Sequence, residues 1–210
     1  VSGMGTIAGS VMGSYVGMLG GQDPMAQQMF ATHLLSASVM AVPGSIVIAK
    51  IMCPQTEPIQ KDSKAEWGDE GHSNVLGAIS SGTVTGVKLM TNIAAMLLVF
   101  ISLIAMVNYF TNNVIGHYTG LNEWIVELTD GKSDGLTFQF ILGVITAPFM
   151  WLIGVPSDDI MLVGSLLGQK TILNEFVAYF QLQEWRDAGL FVSQKSVIMS
   201  TYILCGFANI

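Results

Sequence analysis

The sequence has 210 residues, of which 51% are hydrophobic and 11% are charged, and its formal net charge is −7. Soluble domains carry about 25% charged residues, so this composition excludes an ordinary soluble domain and predicts an all-α integral membrane protein, with 23 Gly and 13 Met residues suited to close helix packing. Only eight Lys and Arg residues stand against 15 Asp and Glu residues, which excludes a nucleic-acid-binding surface because that surface needs clustered positive charge.

Residues 1–52 contain two apolar segments that predict two membrane helices. The first, residues 2–19, is uncharged but slightly short for a bilayer crossing of about 20 residues. The second, residues 25–52, is long enough, and Pro43-Gly44 is expected to kink it or to end its regular part. Because the chain begins with Val1 and shows no signal-peptide pattern, we interpret it as an internal piece of a longer polypeptide.

Residues 53–74 form a polar loop, and the lysines nearest to it are Lys50, Lys61, Lys64 and Lys88. Positive residues gather on the cytoplasmic side of membrane proteins, so this pattern predicts a cytoplasmic loop. Within residues 75–107, the Gly-, Ser- and Thr-rich part (75–87) predicts an interfacial segment, and residues 89–107 predict the clearest spanning helix. Residues 109–136 are polar and predict irregular structure with a short surface helix at 121–128.

Residues 138–155 predict an apolar helix, and Pro156-Ser157-Asp158-Asp159 predicts a helix start in which Ser157 or Asp158 accepts hydrogen bonds from free amides. The segments 160–173 and 176–182 are each too short to cross a bilayer, and a polar tip separates them. Residues 157–182 therefore predict a re-entrant hairpin, and residues 183–187 a return to the interface.

Residues 193–210 predict the start of a broken helix, which Ser193 caps and which loses regularity at Gly206. Glycine-broken polar spots thus lie in apolar segments at both ends of the chain, at residues 5–10 and 205–209. Discontinuous helices in corresponding places are a sequence-level indication of a transporter's central site.

Lys170, Asn174 and Glu175 are costly residue types in an apolar region. A carboxylate at Glu175 can accept charge-assisted hydrogen bonds from the vicinal hydroxyls of a sugar. Taken alone, the residues equally allow Glu175 to pair with Lys170 or to accept amides at a helix end. Lys170 is five residues away and is expected to support the hairpin by packing or by binding carbonyls, whereas Asn174 is expected to cap the second half-helix rather than bind substrate.

Three stretches resemble the C-terminal region of the concentrative nucleoside transporters, and they lie in the family's order along the whole chain. They are Gly5-Thr6-Ile7-Ala8-Gly9-Ser10-Val11, Gly168-Gln169-Lys170-Thr171-Ile172-Leu173-Asn174-Glu175-Phe176-Val177-Ala178-Tyr179 and Leu204-Cys205-Gly206-Phe207-Ala208-Asn209. The family's first hairpin, with its Gln-Thr-Glu stretch, has no counterpart. Gln55-Thr56-Glu57-Pro58 is superficially similar, but it lies in the charged loop and is rejected.

The resemblance assigns roles residue by residue. It implies that Glu175 and Asn209 bind the ribose, that Phe207 lines the same pocket and that Val11 packs on the nucleobase. It also implies that the Thr6 hydroxyl and the Ile7 carbonyl bind Na⁺, although a membrane threonine more often bonds to its own backbone.

At the level of the protein, the resemblance implies nucleoside uptake by cation-coupled symport with alternating access, in the inner membrane of a bacterium. The coupling ion would be Na⁺, with H⁺ as the alternative, and no organic cofactor is expected. The partners would be a nucleoside, the lipid bilayer and two further copies in a homotrimer, with residues 89–107 as scaffold and oligomer contact. Nucleosides would be cargo, with no nucleic-acid polymer bound.

Two other classes compete with transport. A membrane-embedded enzyme is disfavoured because His33, His72 and His117 lie in unrelated segments and no nucleophile or metal motif appears. Cys53 and Cys205 also lack metal-type spacing and are expected to be reduced thiols. A structural membrane subunit would leave Lys170 and Glu175 unexplained.

Overall fold

A computed structural model describes residues 6–7, 9–54 and 74–206, which form helices and turns and include no strand. The helices are α1 (Gly9–Gly20), α2 (Pro24–Met52), α3 (Val75–Asn108), α4 (His117–Thr119), α5 (Leu121–Leu128), α6 (Phe138–Ile153), α7 (Ile160–Ile172), α8 (Glu175–Asp187) and α9 (Gln194–Cys205). Contacts divide the chain into two compact units, one of Val1–Pro54 with Val107–Ile210 and one of Gln55–Met106. Most of the polar loop predicted at residues 53–74 lies outside the described residues.

The α3 helix is continuous, and none of its residues is buried. No helix boundary separates the predicted interfacial part from the predicted spanning part, because the hydroxyls in the first half bond within the helix. Thr83 Oγ1 donates to the Ile79 carbonyl (2.8 Å), and Thr91 Oγ1 donates to the Val87 carbonyl (2.9 Å). In length and apolar composition, α2 and the helical stretch that begins with α3 both suffice to cross a membrane.

The α2 helix begins at an N-cap. The expectation that Pro43-Gly44 ends its regular part, one of the two given for that position, is wrong. The Asp23 side chain accepts a hydrogen bond from the Met25 amide (3.0 Å), with Pro24 in the first helical position. The helix then runs through Pro43 to Met52. Near the proline, Ser45 Oγ donates to the Val42 carbonyl (2.8 Å).

The prediction of irregular structure at residues 109–136 is wrong for its first part, because a π-helical stretch (Tyr109–Gly116) and α4 continue the helix. Asparagines of this polar stretch bond to one another and to the next connection. Asn122 Nδ2 donates to Asn112 Oδ1 (2.6 Å), and Asn122 Oδ1 accepts from the Leu136 amide (2.9 Å). The predicted short helix at 121–128 is confirmed as α5.

The α6 and α7 helices pack closely because small residues face each other. A β-carbon at Gly164 would lie 2.6 Å from Thr146 Oγ1, and one at Gly168 would lie 2.6 Å from the Leu142 β-carbon. Both distances are too short for a side chain, so the two glycines allow the backbones to approach. This contact fixes α7, the helix that leads to Glu175.

The prediction that Ser157 or Asp158 caps α7 is wrong, because Asp159 is the N-cap residue and makes no side-chain cap. Its fully buried carboxylate turns instead to the connection between α8 and α9. Its two oxygens accept hydrogen bonds from the amides of Val192 (3.0 Å) and Ser193 (3.1 Å), and Lys132 Nζ lies 3.4 Å away. The start of α7 is therefore bound to the chain just before α9. The α7 and α8 helices pack against each other and form a hairpin.

The second leg of this hairpin is longer than predicted. The α8 helix includes Glu175 and continues to Asp187 instead of ending at residue 182, because Arg186 binds in its last turn. The Arg186 guanidinium donates to the Leu19 carbonyl at the end of α1 and lies 5.6 Å from the Phe30 ring centre. As predicted, Ser193 caps α9 by accepting from the Lys195 amide (3.2 Å).

We expect Asp159→Asn to lower the thermal stability of the detergent-solubilised protein by about 1–3 kcal/mol, because the amides of Val192 and Ser193 would lose a charged acceptor. Asp158→Asn is the matched control, since the Asp158 side chain is exposed. Equal melting temperatures for the two variants would contradict this role.

The same carboxyl predicts a dependence of stability on pH. Burial alone would raise the pKa of Asp159, but the hydrogen bonds from Val192 and Ser193, the dipole of the nearby Ser196 hydroxyl and the charge of Lys132 outweigh it and lower the pKa. Ser196 Oγ has no partner with hydrogen-bond geometry among the described residues, so it acts through proximity. The stabilisation is present above the unfolded pKa of about 3.9 and is lost as pH falls through the lower folded value, and Asp159→Asn should abolish that part of the acid sensitivity.

Candidate functional site

The tip of the hairpin is the two-residue connection Leu173-Asn174, and Glu175 is the first residue of α8. Asn174 is extended (φ −171°, ψ 169°), and its Oδ1 accepts a hydrogen bond from the Val177 amide (3.0 Å). This N-cap satisfies an amide that the first turn leaves free. The cap fixes the point at which the chain reverses and so fixes where the Glu175 side chain begins.

Glu175 is buried, with 8% of its surface exposed. Within the described part of the chain, the ion pairs closer than 4 Å are Lys132 with Asp159 and Arg186 with Asp187, and neither includes Glu175. The alternative in which Glu175 forms an ion pair with Lys170 is therefore not observed. A buried carboxylate at the N-terminus of α8 is stabilised by the helix dipole.

Two buried tyrosines form a wall beside Glu175 that the sequence analysis did not identify. The Tyr15 ring of α1 stacks on the Tyr179 ring of α8, with 4.1 Å between centroids and 25° between planes. The Glu175 charge acts on both tyrosines. A signal was available for Tyr179, because it follows Glu175 by four residues and neighbours on a helix face are three or four apart.

The α9 helix is bound to both legs of the hairpin. Tyr179 Oη donates to the Thr201 carbonyl (3.0 Å), and Lys170 Nζ donates to the Ile203 carbonyl (2.8 Å). Lys170 is buried in α7, and its charge acts on Glu175 across a distance longer than an ion pair. These bonds bring the end of α9 to the hairpin tip.

The α2 helix supports α9 from another side. Cys205 Sγ lies 3.6 Å from the Leu34 carbonyl, and His33 Nδ1 lies 3.1 Å from Tyr202 Oη. Cys205 is a free, buried thiol and Cys53 is a free, exposed one. Among the described residues, no group of three His, Cys, Asp or Glu side chains gathers to hold a metal ion.

The three predicted site residues of the first segment lie at the start of α1. Ile7 is buried and belongs to the same apolar cluster as Tyr179, Leu204 and Cys205. Thr6 is half-buried, and Val11 is 37% exposed. Residues 6 and 7 precede the first residue of α1. The Ile7 carbonyl oxygen and the Thr6 hydroxyl are ligand types that suit Na⁺.

The two remaining predicted site residues, Phe207 and Asn209, lie outside the described residues. The last described residue is Gly206, an extended residue (φ −73°, ψ 133°) at which α9 has ended. The structure therefore brings together the start of α1, the hairpin tip and the end of α9. Chemically, this region offers a buried anion beside apolar and aromatic walls.

A family model for the Na⁺-dependent nucleoside transporter C-terminus matches residues 33–210. The human protein Solute carrier family 28 member 3 is 35% identical over 225 residues, which cover 100% of this chain and 29% of that protein. The pig Sodium/nucleoside cotransporter 1 is 34% identical (99% of this chain, 31% of that protein). The transporter YutK of Bacillus subtilis is 37% identical (99% and 46%). The chain thus spans less than half the length of each relative.

Solved structures agree in fold. CNTnw in an inward-facing substrate-bound state matches with a TM-score of 0.74 and 35% identity, over 98% of this chain and 43% of that chain. A variant of CNTnw in an outward-facing state matches with a TM-score of 0.76 and 36% identity, over 98% and 44%. The predicted class, an all-α membrane protein with a helical hairpin and discontinuous helices, is confirmed.

We expect Asn174→Ala to destabilise the protein by about 1 kcal/mol, because the Val177 amide would lose its acceptor. Asn174→Ser keeps a capping oxygen and should retain most of the stability. Thermal melting of both variants without ligand measures the effect. If serine and alanine destabilise equally, the cap does not hold the tip.

Proposed function

Because the chain belongs to the Na⁺-dependent nucleoside transporter family, we propose that it forms part of a protein that takes up nucleosides across a bacterial inner membrane by Na⁺-coupled symport. The family is one of transporters, which supports transport over the competing enzyme and structural-subunit readings. The proposed transport requires no organic cofactor and involves no nucleic-acid polymer.

The buried Glu175 carboxylate is the observation that carries the proposal. It lies at the tip of a hairpin, has no ion-pair partner among the described residues and is expensive to keep at membrane depth. The vicinal hydroxyls of a ribose would each donate a charge-assisted hydrogen bond to it. We assign Glu175 to the ribose for this reason.

The other substrate contacts are proposed from the family resemblance. Asn209 would complete the ribose contacts and Phe207 would line the pocket, and both follow the end of α9 in sequence. Val11 would pack on the nucleobase, and its partial exposure on α1 supports that assignment. The stacked pair of Tyr15 and Tyr179 would close the apolar side of this space.

Na⁺ would bind at the start of α1. The residues fit a hard cation, since the Thr6 hydroxyl and the Ile7 carbonyl are oxygen ligands at a break before a helix. A bound Na⁺ would supply a positive charge that helps to order the broken segment, while Ile7 keeps its side chain in the apolar cluster shared with α8 and α9.

Transport would proceed by alternating access, with the hairpin and broken helices as the moving part. The α3 helix would be scaffold and oligomer contact in a homotrimer, which accords with its apolar residues, none of them buried. The similarity to both an inward-facing and an outward-facing structure supports a mechanism with two such states.

Glu175→Gln in the intact transporter is expected to reduce uridine uptake about 10- to 100-fold, because the charged acceptor of two hydroxyl hydrogen bonds would be lost. Uptake of labelled uridine into proteoliposomes measures this. Glu184→Gln is the matched control, since it is the same change at an exposed position of the same helix. Normal uptake by Glu175→Gln, with unchanged folding, would defeat the ribose assignment.

Thr6→Ala is expected to raise the Na⁺ concentration for half-maximal uptake by about 10-fold, as one oxygen ligand is removed. Thr32→Ala is the control, because the Thr32 hydroxyl is exposed and donates to the Gln28 carbonyl of its own helix. Replacing Na⁺ by choline should stop uptake by the unaltered protein. Full uptake in choline driven by a proton gradient would contradict Na⁺ coupling.

A further inference from the structure

Lys170 is a buried cation in a helix that packs among apolar residues. Only 5% of its surface is exposed, although a lysine in such a position is costly. Its Nζ makes one described hydrogen bond, to the Ile203 carbonyl of α9 at 2.8 Å. A side chain of α7 thus bonds to the backbone of a helix 33 residues further along.

The Ile203 carbonyl lies in the last turn of α9. The helix ends at Cys205, and Gly206 is extended. Carbonyls in the last turn of a helix generally need partners from outside the helix. The end of a helix carries a partial negative charge, and a cation there is favourable. The Lys170 ammonium therefore caps the broken end of α9.

The Lys170 ammonium also lies beside this break, at an ordinary contact distance. A β-carbon at Gly206 would lie 3.5 Å from Lys170 Nζ, so the ammonium lies directly against the residue at which the chain leaves the helix. Phe207 and Asn209, the residues assigned to the ribose pocket, follow within three positions. The position of Lys170 is thus suited to set the direction in which the chain leaves α9.

The same charge acts on the hairpin tip. Lys170 interacts electrostatically with Glu175 and with Cys205, yet it forms no ion pair with Glu175 among the described residues. The Glu175 carboxylate is therefore available to a ligand, and the positive charge of Lys170 acts on it. One side chain therefore connects the two parts of the proposed ribose site.

We propose that Lys170 is a positioning residue that serves as a tethered cation: its ammonium holds the broken end of α9 against the hairpin tip, so that Glu175 is held in place to bind the nucleoside. Bound cations serve broken helices of transporters in this way at helix C-terminal ends, and here the cation is covalently attached. The inference rests on the proposed function and names the group that aligns its two halves.

The test compares uridine KM and maximal rate for three Lys170 variants of the intact transporter in proteoliposomes. Lys170→Ala removes the stem and the charge, Lys170→Met keeps the apolar stem and Lys170→Arg keeps the charge. We expect Lys170→Ala and Lys170→Met to raise KM about 10-fold or more, with a smaller effect on maximal rate, and Lys170→Arg to retain a lower KM than either. Lys195→Ala is the matched control, since Lys195 also donates to a helix-end carbonyl, that of Gly154 (3.2 Å), but from the other end of α9.

Chemical rescue separates a tethered charge from simple packing. Millimolar propylammonium should enter the space left in Lys170→Ala and lower its KM toward the unaltered value, whereas propanol, which fills the space without a charge, should not. A wild-type KM in Lys170→Met, or equal rescue by propanol, would overturn the proposal. If Lys170→Ala does not fold, propylammonium during purification should restore a monodisperse protein, and failure to do so would also overturn it.

The outcomes are distinguishable from failure of the proposed function. If the unaltered protein does not take up uridine, the nucleoside assignment fails. If the unaltered protein and Glu175→Gln both take up uridine normally, the ribose assignment of Glu175 fails. If the unaltered protein transports and Glu175→Gln does not, while Lys170→Met keeps a wild-type KM, only the role of Lys170 fails.

Discussion

The negative charge of a carboxylate that is buried among apolar residues must be stabilised by nearby groups. The arrangement around Glu175 depends on that constraint. Desolvation of an ionised group is expensive, so the charge is sustained by a helix N-terminus and a cation nearby. An ion pair with Lys170 would provide compensation as well, but it would occupy the acceptor. The structure instead gives Lys170 a backbone carbonyl of α9 as its hydrogen-bond partner, which leaves the Glu175 oxygens for a ligand.

The remaining interactions keep three broken or reversing segments in fixed positions. Gly164 and Gly168 allow α7 to pack closely on α6, and Asp159 binds the start of α7 to the chain just before α9. Tyr179 bonds to α9 and stacks on Tyr15, so α1, α8 and α9 meet at one place. A binding site made from chain breaks needs such support, because exposed backbone groups at membrane depth must border protein, ligand or water.

The fold class could be predicted from the sequence, because composition and long apolar segments can be identified without knowledge of tertiary contacts. The family resemblance could be identified because one of its motifs is long. Helix α5 and the Ser193 cap of α9 were also predicted correctly, because both follow from local sequence rules.

The predictions were wrong where residues distant in the sequence determine the local conformation. Asp159 looked like part of a local cap, but its partners are 33 and 34 residues away. Residues 109–136 were predicted to be irregular, yet Asn112 and Asn122 bond to each other and residues 109–119 continue the helix. The stacking of Tyr15 on Tyr179 could not be predicted, because the sequence does not show that α1 packs against α8.

The central claim is that the hydroxyls of a sugar find their acceptor in one buried carboxylate. Isothermal titration calorimetry of the purified, unaltered protein with uridine and with 2′,3′-dideoxyuridine tests it most directly, because the two ligands share the base and differ in the groups that would donate to Glu175. The account predicts an affinity for the dideoxy compound at least about 10-fold weaker, as expected when hydrogen bonds to a charged group are lost. Equal affinities for the two compounds would contradict it.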